Sequence, residues 1–303
     1  MSTGMEKKAD LTNSKQGKNL QENMKFFGVL EELYKKNKGN SEIALQYAKS
    51  LFNLAAAQEK KEEREESTVK LQSLHEEHPA EKEIELLYAK ALFNLTAIQD
   101  TQKERKESVK KLEDIYQKDE NAKTIALLYV KSLANLILLQ SSKEEKKDTA
   151  EKLRKVYECF EEEKEIAVRY AKGLFSLTAA QEKKEERQET SERLAKLYES
   201  YKEEKEIALR YAKSLFNLMV LQEKKEEKEK TVENLGKVYE AAEENLEIAL
   251  FYVRSLSRLI SLQGEKEERE ASVEKLRRVY ERHEDEKEIA TQYAKALFHA
   301  SNI

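Results

Sequence analysis

Tyrosine returns seven times at one fixed interval, at Tyr47, Tyr88, Tyr129, Tyr170, Tyr211, Tyr252 and Tyr293, each 41 residues after the last. A second column at the same spacing runs Ile43, Ile84, Ile125, Ile166, Ile207, Ile248 and Ile289, so the register carries no insertion or deletion. A chain that copies itself at such a period stacks supersecondary units side by side instead of folding round one centre. Periodicity therefore sets the architecture. It does not name a role, because a stack of near-identical units supplies a shape and a repeated surface rather than one reactive constellation.

Composition says what the repeated unit is made of. Only 7 glycines, 1 proline and no tryptophan occur in 303 residues, while Glu, Lys, Leu and Ala abound, which is the profile of helices joined by short turns. Basic and acidic residues number 56 and 60, a formal charge of −4, so no long-range field favours nucleic acid or a membrane. No stretch approaches the ~20 apolar residues of a membrane span, and the polar segment 1–19 lacks the apolar core of a secretory signal. Cys159 is the sole cysteine, which excludes an intrachain disulfide and fits a reducing, cytoplasmic setting. The expected organisation is a disordered leader over residues 1–18, followed by a single repeat domain over 19–303.

Within one unit, Ile43, Tyr47, Ser50, Leu51, Leu54, Ala57 and Gln58 share one face of a helix, here termed helix A. Ala44, Leu45, Ala48, Phe52, Ala55 and Ala56 cover most of the remaining circumference, so helix A is expected to be enclosed except along an arc holding Glu42, Gln46, Lys49 and Asn53. A second pattern, helix B, runs through Ser67, Thr68, Leu71, Leu74 and His75, and recurs as Leu112, Ile115 and Tyr116, then Leu153, Val156 and Tyr157. At 100° per residue the two stripes differ in phase by roughly 120°. One straight helix could not bury both against one neighbour, so a turn is expected near residues 58–62. Asn37, Gly39, Asn40, Pro79, Asn121, Asn245 and Asp285 mark the return from B to A. Residues 26–34 match a helix B, so the array opens on B and closes on A.

These features define an all-α solenoid, a right-handed superhelix of antiparallel helix hairpins with about fourteen helices. Small residues at Ser50, Ala91, Ser132, Gly173, Ser214, Ser255 and Ala296 permit the close helix approach that this needs. In motifs such as Ile43-Ala-Leu-Gln-Tyr47-Ala-Lys-Ser50-Leu-Phe-Asn53-Leu54 the chain resembles the tetratricopeptide-repeat class. That family's usual unit has 34 residues and ends in proline, whereas this unit has 41 and a single proline in the whole array. HEAT-like or other helix-hairpin geometry stays open.

The polar arc of helix A is the candidate binding surface. Its basic position is Lys49, Lys90, Lys131, Lys172, Lys213, Arg254 and Lys295, and four residues later stand Asn53, Asn94, Asn135, Ser176, Asn217, Arg258 and His299. Positions i and i+4 share a face, so stacking aligns them as a ladder. In the solenoids that the chain resembles, A helices line the concave groove, and a lysine with an asparagine resembles the clamps by which some tetratricopeptide domains hold acidic peptide ends. Protein or acidic peptide is the expected partner. The alternative is a solvated stripe copied from one ancestral unit, consistent with the i, i+4 pairs Glu165–Arg169 and Glu206–Arg210.

Gln58, Gln99, Gln140, Gln181, Gln222 and Gln263 recur beside the A to B turn, as do Arg64, Arg105, Lys146, Arg187, Lys228 and Arg269. Both columns are expected to be structural, the glutamine serving backbone groups at the helix end and the basic stem packing beneath a solvated tip. Ser67, Ser108, Thr149, Thr190, Thr231 and Ser272 read as small packing positions. Nothing suggests catalysis, a metal or a cofactor: His75 and His78 have no recurring third ligand, and Cys159 sits among Glu158, Glu161 and Glu162, which disfavour a thiolate. Neither nucleic acid nor membrane is expected as a partner. A structural module that works through its ends is the rival to groove binding, because Leu297 and Phe298 leave an apolar edge on the C-terminal helix to meet another copy, the region of Phe26 and Phe27, or a partner.

Overall fold

The computed structural model describes residues 26–301, so the expected leader and the first residues of the expected domain lie outside the described residues. Among the described residues there are fourteen helices and no strand. They are α1 (26–36), α2 (Ser41–Ala57), α3 (Lys61–Glu77), α4 (Lys82–Ile98), α5 (Gln102–Tyr116), α6 (Lys123–Leu136) and α7 (Lys143–Cys159). The series continues with α8 (Lys164–Ala180), α9 (Lys184–Ser200), α10 (Lys205–Leu221), α11 (Lys225–Glu240), α12 (Leu246–Ile260), α13 (Lys266–Arg282) and α14 (Lys287–Ser301). Even-numbered helices are A and odd-numbered helices are B. The turn expected near 58–62 occupies residues 58–60. Asn40 and Asn245 earn their recurrence as N-caps, each accepting a backbone N–H at 3.1 Å, from Ile43 and Ile248 respectively.

The helices group into two compact units, one ending at Leu139 and the other beginning at Gln140. In each, consecutive helices pack as hairpins, and A helices of successive repeats also touch: α2 on α4 and α4 on α6 in the first, α8 on α10, α10 on α12 and α12 on α14 in the second. No two B helices pack comparably among the described residues. Helix A is therefore the tight layer of an all-α solenoid and helix B the spread one.

The core repeats faithfully. Leu71, Leu112, Leu153, Leu194, Leu235 and Leu276 of the B helices are all fully enclosed. Each helix A tyrosine packs against an aromatic of the preceding helix B, with stacked rings in Tyr116–Tyr129 at 5.3 Å, Tyr157–Tyr170 at 5.4 Å and Tyr239–Tyr252 at 5.5 Å between ring centroids. Such a pair contributes about 0.5–1.5 kcal/mol beyond the area it buries. Six of the seven column tyrosines are buried, but Tyr293 is half-buried, because no described helix follows α14 to cover it. Helix A is also less enclosed than its composition suggested. Ala56 is exposed, lying three residues past Asn53 on the same open arc.

Two recurrent columns behave differently from the expectation. The glutamine serves a side chain rather than the backbone: Gln140, Gln181 and Gln222 each donate from Nε2 to the hydroxyl of Thr149, Thr190 and Thr231 at 2.9 Å. The hydroxyl column is thus a buried hydrogen-bonding partner and not merely small. Backbone carbonyls at the turn are taken instead by the basic residue, whose tip is not solvated. Arg187 donates from Nε to the Gln181 carbonyl at 2.7 Å and from a terminal nitrogen to the Asn217 carbonyl at 2.8 Å, tying one turn to the next helix A. Arg105 bridges the Gln99 and Asn135 carbonyls in the same way. Helix C-terminal carbonyls carry partial negative charge, so a cation is the fitting donor.

His75 occupies the tyrosine slot of helix B and stacks on Tyr88 at 5.8 Å. Burial, followed by the nearby Lys118 charge, pulls its pKa below the usual value, against the opposing pull of Glu85 and Glu76. Because the folded state disfavours the charged ring, the stability it lends is present above the unfolded value of 6.5 and is lost as pH falls through the lower folded value. Thermal melts of wild type should therefore lose stability below pH 6.5 more steeply than melts of His75→Tyr, which restores the residue found in other repeats; superimposable pH profiles would contradict this.

Candidate binding face on helix A

Four positions per repeat, those of Glu42, Gln46, Lys49 and Asn53, form the open arc, and the structure shows what the ladder cations meet there. Lys49 pairs with Glu83 at 2.8 Å, Lys213 with Glu247 at 2.5 Å and Arg254 with Glu288 at 2.6 Å. In each pair the acid stands 34 residues on, at the first arc position of the next helix A. The ladder is therefore not a free cationic row. Part of it staples successive A helices, a use nearer to the solvated stripe than to a ligand track. Lys90 escapes because the corresponding position is Thr124, and no carboxylate lies within salt-bridge reach of it among the described residues.

The excess positive charge lies in the second unit. Its arc holds Arg169, Lys172, Arg210, Lys213, Arg254, Arg258 and Lys295 against Glu165, Glu206, Glu247 and Glu288, whereas the arc of the first holds Lys49, Lys90 and Lys131 against Glu42 and Glu83. Seven cations against four acids leaves a surplus of three, compared with a surplus of one. The difference comes from Arg169 and Arg210, which stand where earlier repeats carry Gln46, Leu87 and Leu128, and from Arg258 in the asparagine column. Arg169 and Arg210 lean toward Glu165 and Glu206 at 3.6 and 3.5 Å, and the Nε of each is buried without a hydrogen-bond partner. Between them lies Lys172, whose ammonium is drawn below its usual pKa by burial and then by the two arginines. Lys172 is held charged there at an electrostatic cost that an anion would relieve.

Beyond this cluster, Phe216 of α10 and Phe251 of α12 meet at 5.2 Å, with Lys213 over the Phe251 ring at 5.9 Å and Arg258 over the Phe216 ring at 4.9 Å. Further along, a cleft of about 340 Å³ opens between α12 and α14, lined by Arg254, Ser257, Arg258, Ser261, Lys295 and His299 among others. Its cause is a departure from the repeat. Ser257 replaces the aromatic found at Phe52, Phe93, Phe175, Phe216 and Phe298, and the missing ring leaves the space. Outer clefts between B helices differ in carrying carboxylates among their cations, as where Lys237 pairs with Glu233 at 2.8 Å, or where Arg193 pairs with Glu189 at 2.6 Å.

The structure thus brings Arg254, Arg258 and Lys295 together, engages Lys49 and Lys213 in ion pairs, and places Lys172 in a cluster not anticipated from sequence. Asn53, Asn94, Asn135 and Asn217 keep to the arc. Of these, Asn135 and Asn217 also serve through their carbonyls as acceptors for Arg105 and Arg187. No helix is long and apolar enough to cross a membrane among the described residues. No family model matches the chain, and no curated protein matches it. Among solved structures, it aligns with a chain from "Computational Design of Self-Assembling Cyclic Protein Homooligomers" over 96% of its own length and 92% of the other, at 11% identity and a TM-score of 0.12. Similarity at that level carries no argument.

Proposed function

We propose that the chain is a non-catalytic binding scaffold of tetratricopeptide-like type that recognises an acidic protein segment along the helix A face of its second unit. The observation that carries this reading is the Arg169, Lys172 and Arg210 cluster, where two guanidinium Nε groups are buried without partners and a lysine is depressed by burial and then by like charges. The stretch at Lys49 pairs its cation with Glu83, whereas Lys172 has two cations beside it and no carboxylate within salt-bridge distance among the described residues. Neighbouring A helices lie about 8–10 Å apart, and an extended peptide advances ~3.3 Å per residue, so one repeat matches about three ligand residues. The expected result is that a pool of peptides carrying Asp or Glu at every third position binds saturably, more weakly as salt rises, while neutral and basic pools do not. Equal binding of all three pools, or none, would remove the proposal.

A second reading has its own observation. Leu297 and Phe298 of α14 are 45% and 65% exposed, an apolar edge of the kind that mediates association. If this edge joins copies, Phe298→Glu should shift the assembly to monomer in light scattering without loss of helical signal. A wild type that is monomeric at every concentration would exclude it.

A further inference from the structure

We infer that the cleft between α12 and α14 is a phosphomonoester site, which anchors a phosphorylated side chain of the peptide bound on the helix A face; the inference rests on that face being the binding surface. The charge count points there. Arg254 is neutralised by Glu288 at 2.6 Å, which leaves Arg258 and Lys295 as two cations with no ion pair among the described residues. Two uncompensated charges match a phosphomonoester, which carries about −1.5 to −2 near neutral pH. A carboxylate would leave one of them unanswered.

Hydrogen-bonding capacity agrees. Phosphate offers three terminal oxygens that want several donors, and the cleft is lined by Lys295, by His299 and by Arg258, whose guanidinium rests over the Phe216 ring and would swing in. The Ser257 oxygen lies beneath them, buried without a partner. The Ser261 hydroxyl is already committed to the Arg258 carbonyl at 2.8 Å. Two adjacent departures from the repeat make this possible: a serine where Phe216 stands in α10 opens the space, and an arginine where Asn217 stands fills its rim with charge. A peptide is the fitting bearer of the phosphate, because Arg210, Lys213 and the Phe216–Phe251 pair lead along the same face to the cleft, as a track for an extended chain would.

The test uses the full chain, titrated with inorganic phosphate, with N-acetyl-phosphoserine amide, with the acidic peptide pool bearing one phosphoserine, and with that pool bearing glutamate instead. Nitrogen-edited NMR of arginine side chains and calorimetry provide the readouts. Phosphate and phosphoserine amide should perturb Arg258 saturably, and the phosphorylated pool should bind at least tenfold more tightly than the glutamate pool. Ser257→Phe, which restores the aromatic of α10 and fills the cleft, should remove that tenfold while leaving binding of the glutamate pool in place. Lys295→Gln should weaken binding of phosphoserine amide, and guards against misfolding of the filled variant. Equal affinity of the two pools, retention of phosphate binding in the filled variant, or binding confined to phosphatidate vesicles would overturn the inference. Failure of the glutamate pool with phosphoserine still bound would instead sink the wider acidic-segment reading and leave the cleft as assigned.

Discussion

Replacing Tyr211 with alanine is expected to cost about 3–5 kcal/mol, the range for emptying a large aromatic from a core. Tyr211 is 7% exposed and packs against the Tyr198 ring at 5.6 Å between centroids. The same change at half-buried Tyr293 should cost much less, since solvent and relaxation at α14 absorb part of the void. Chemical denaturation of the two variants checks the contrast, and equal losses would mean that the column is not a graded core. The tyrosines also predict an alkaline transition. Burial pushes the Tyr211 and Tyr252 phenols up from 10.0 to about 12, so the folded state holds these protons more tightly than the unfolded chain does. Stability should be intact below pH 10 and fall as pH rises through about 12. Tyrosinate absorbance and loss of helical circular dichroism should then rise together.

Arg187→Met should be nearly as damaging, at about 3 kcal/mol, because hydrogen bonds from a charged group contribute about 1.5–3 kcal/mol and its removal leaves carbonyls unserved. Those carbonyls belong to Gln181 and Asn217, on successive A helices, so the variant loosens one repeat against the next rather than one helix alone. Arg187→Lys should recover part of the loss, since Lys146 and Lys228 fill the same column. Lys237→Met is the control: its partner Glu233 is an exposed neighbour one turn back on the same helix, and the expected change is within about 0.5 kcal/mol. Equal melting temperatures for Arg187→Met and Lys237→Met would show that the guanidinium bridge contributes nothing.

Much of this fold was legible before any coordinates, for a physical reason. Helical phase is local, so the columns at Tyr47, Ser50 and Leu71 reveal which faces are buried from sequence alone. What phase cannot reveal is the atom that arrives from another helix. Gln181 was recognisable as structural, but its choice of Thr190 over a backbone group depends on how two helices rotate about a three-residue turn. The Lys49 ladder was legible as an aligned row, yet its pairing with Glu83 depends on the offset between repeats, and that offset turns part of a supposed ligand track into an inter-repeat staple. The proposed binding face was hidden for a related reason. Attention to what recurs favours Lys49 and Asn53, whereas the informative residues are those that break the pattern: Arg169, Arg210, Ser257 and Arg258. A comparison of each repeat with the column's usual residue would have found them, though not the convergence of Arg258 with Lys295 and His299 across two helices.

The central claim is that binding resides on the helix A face of the second unit and draws on its uncompensated charge. It is tested most directly by fluorescence polarisation of the acidic peptide pool against two charge-reversed proteins, Lys172→Glu with Arg210→Glu, and Lys49→Glu with Lys90→Glu. Both carry the same change in net charge and alter the same arc, so non-specific attraction would weaken them equally. The account predicts at least a tenfold loss of affinity in the first and less than a threefold change in the second, with helical spectra unchanged. Equal losses in the two proteins, or full affinity in the first, would contradict it.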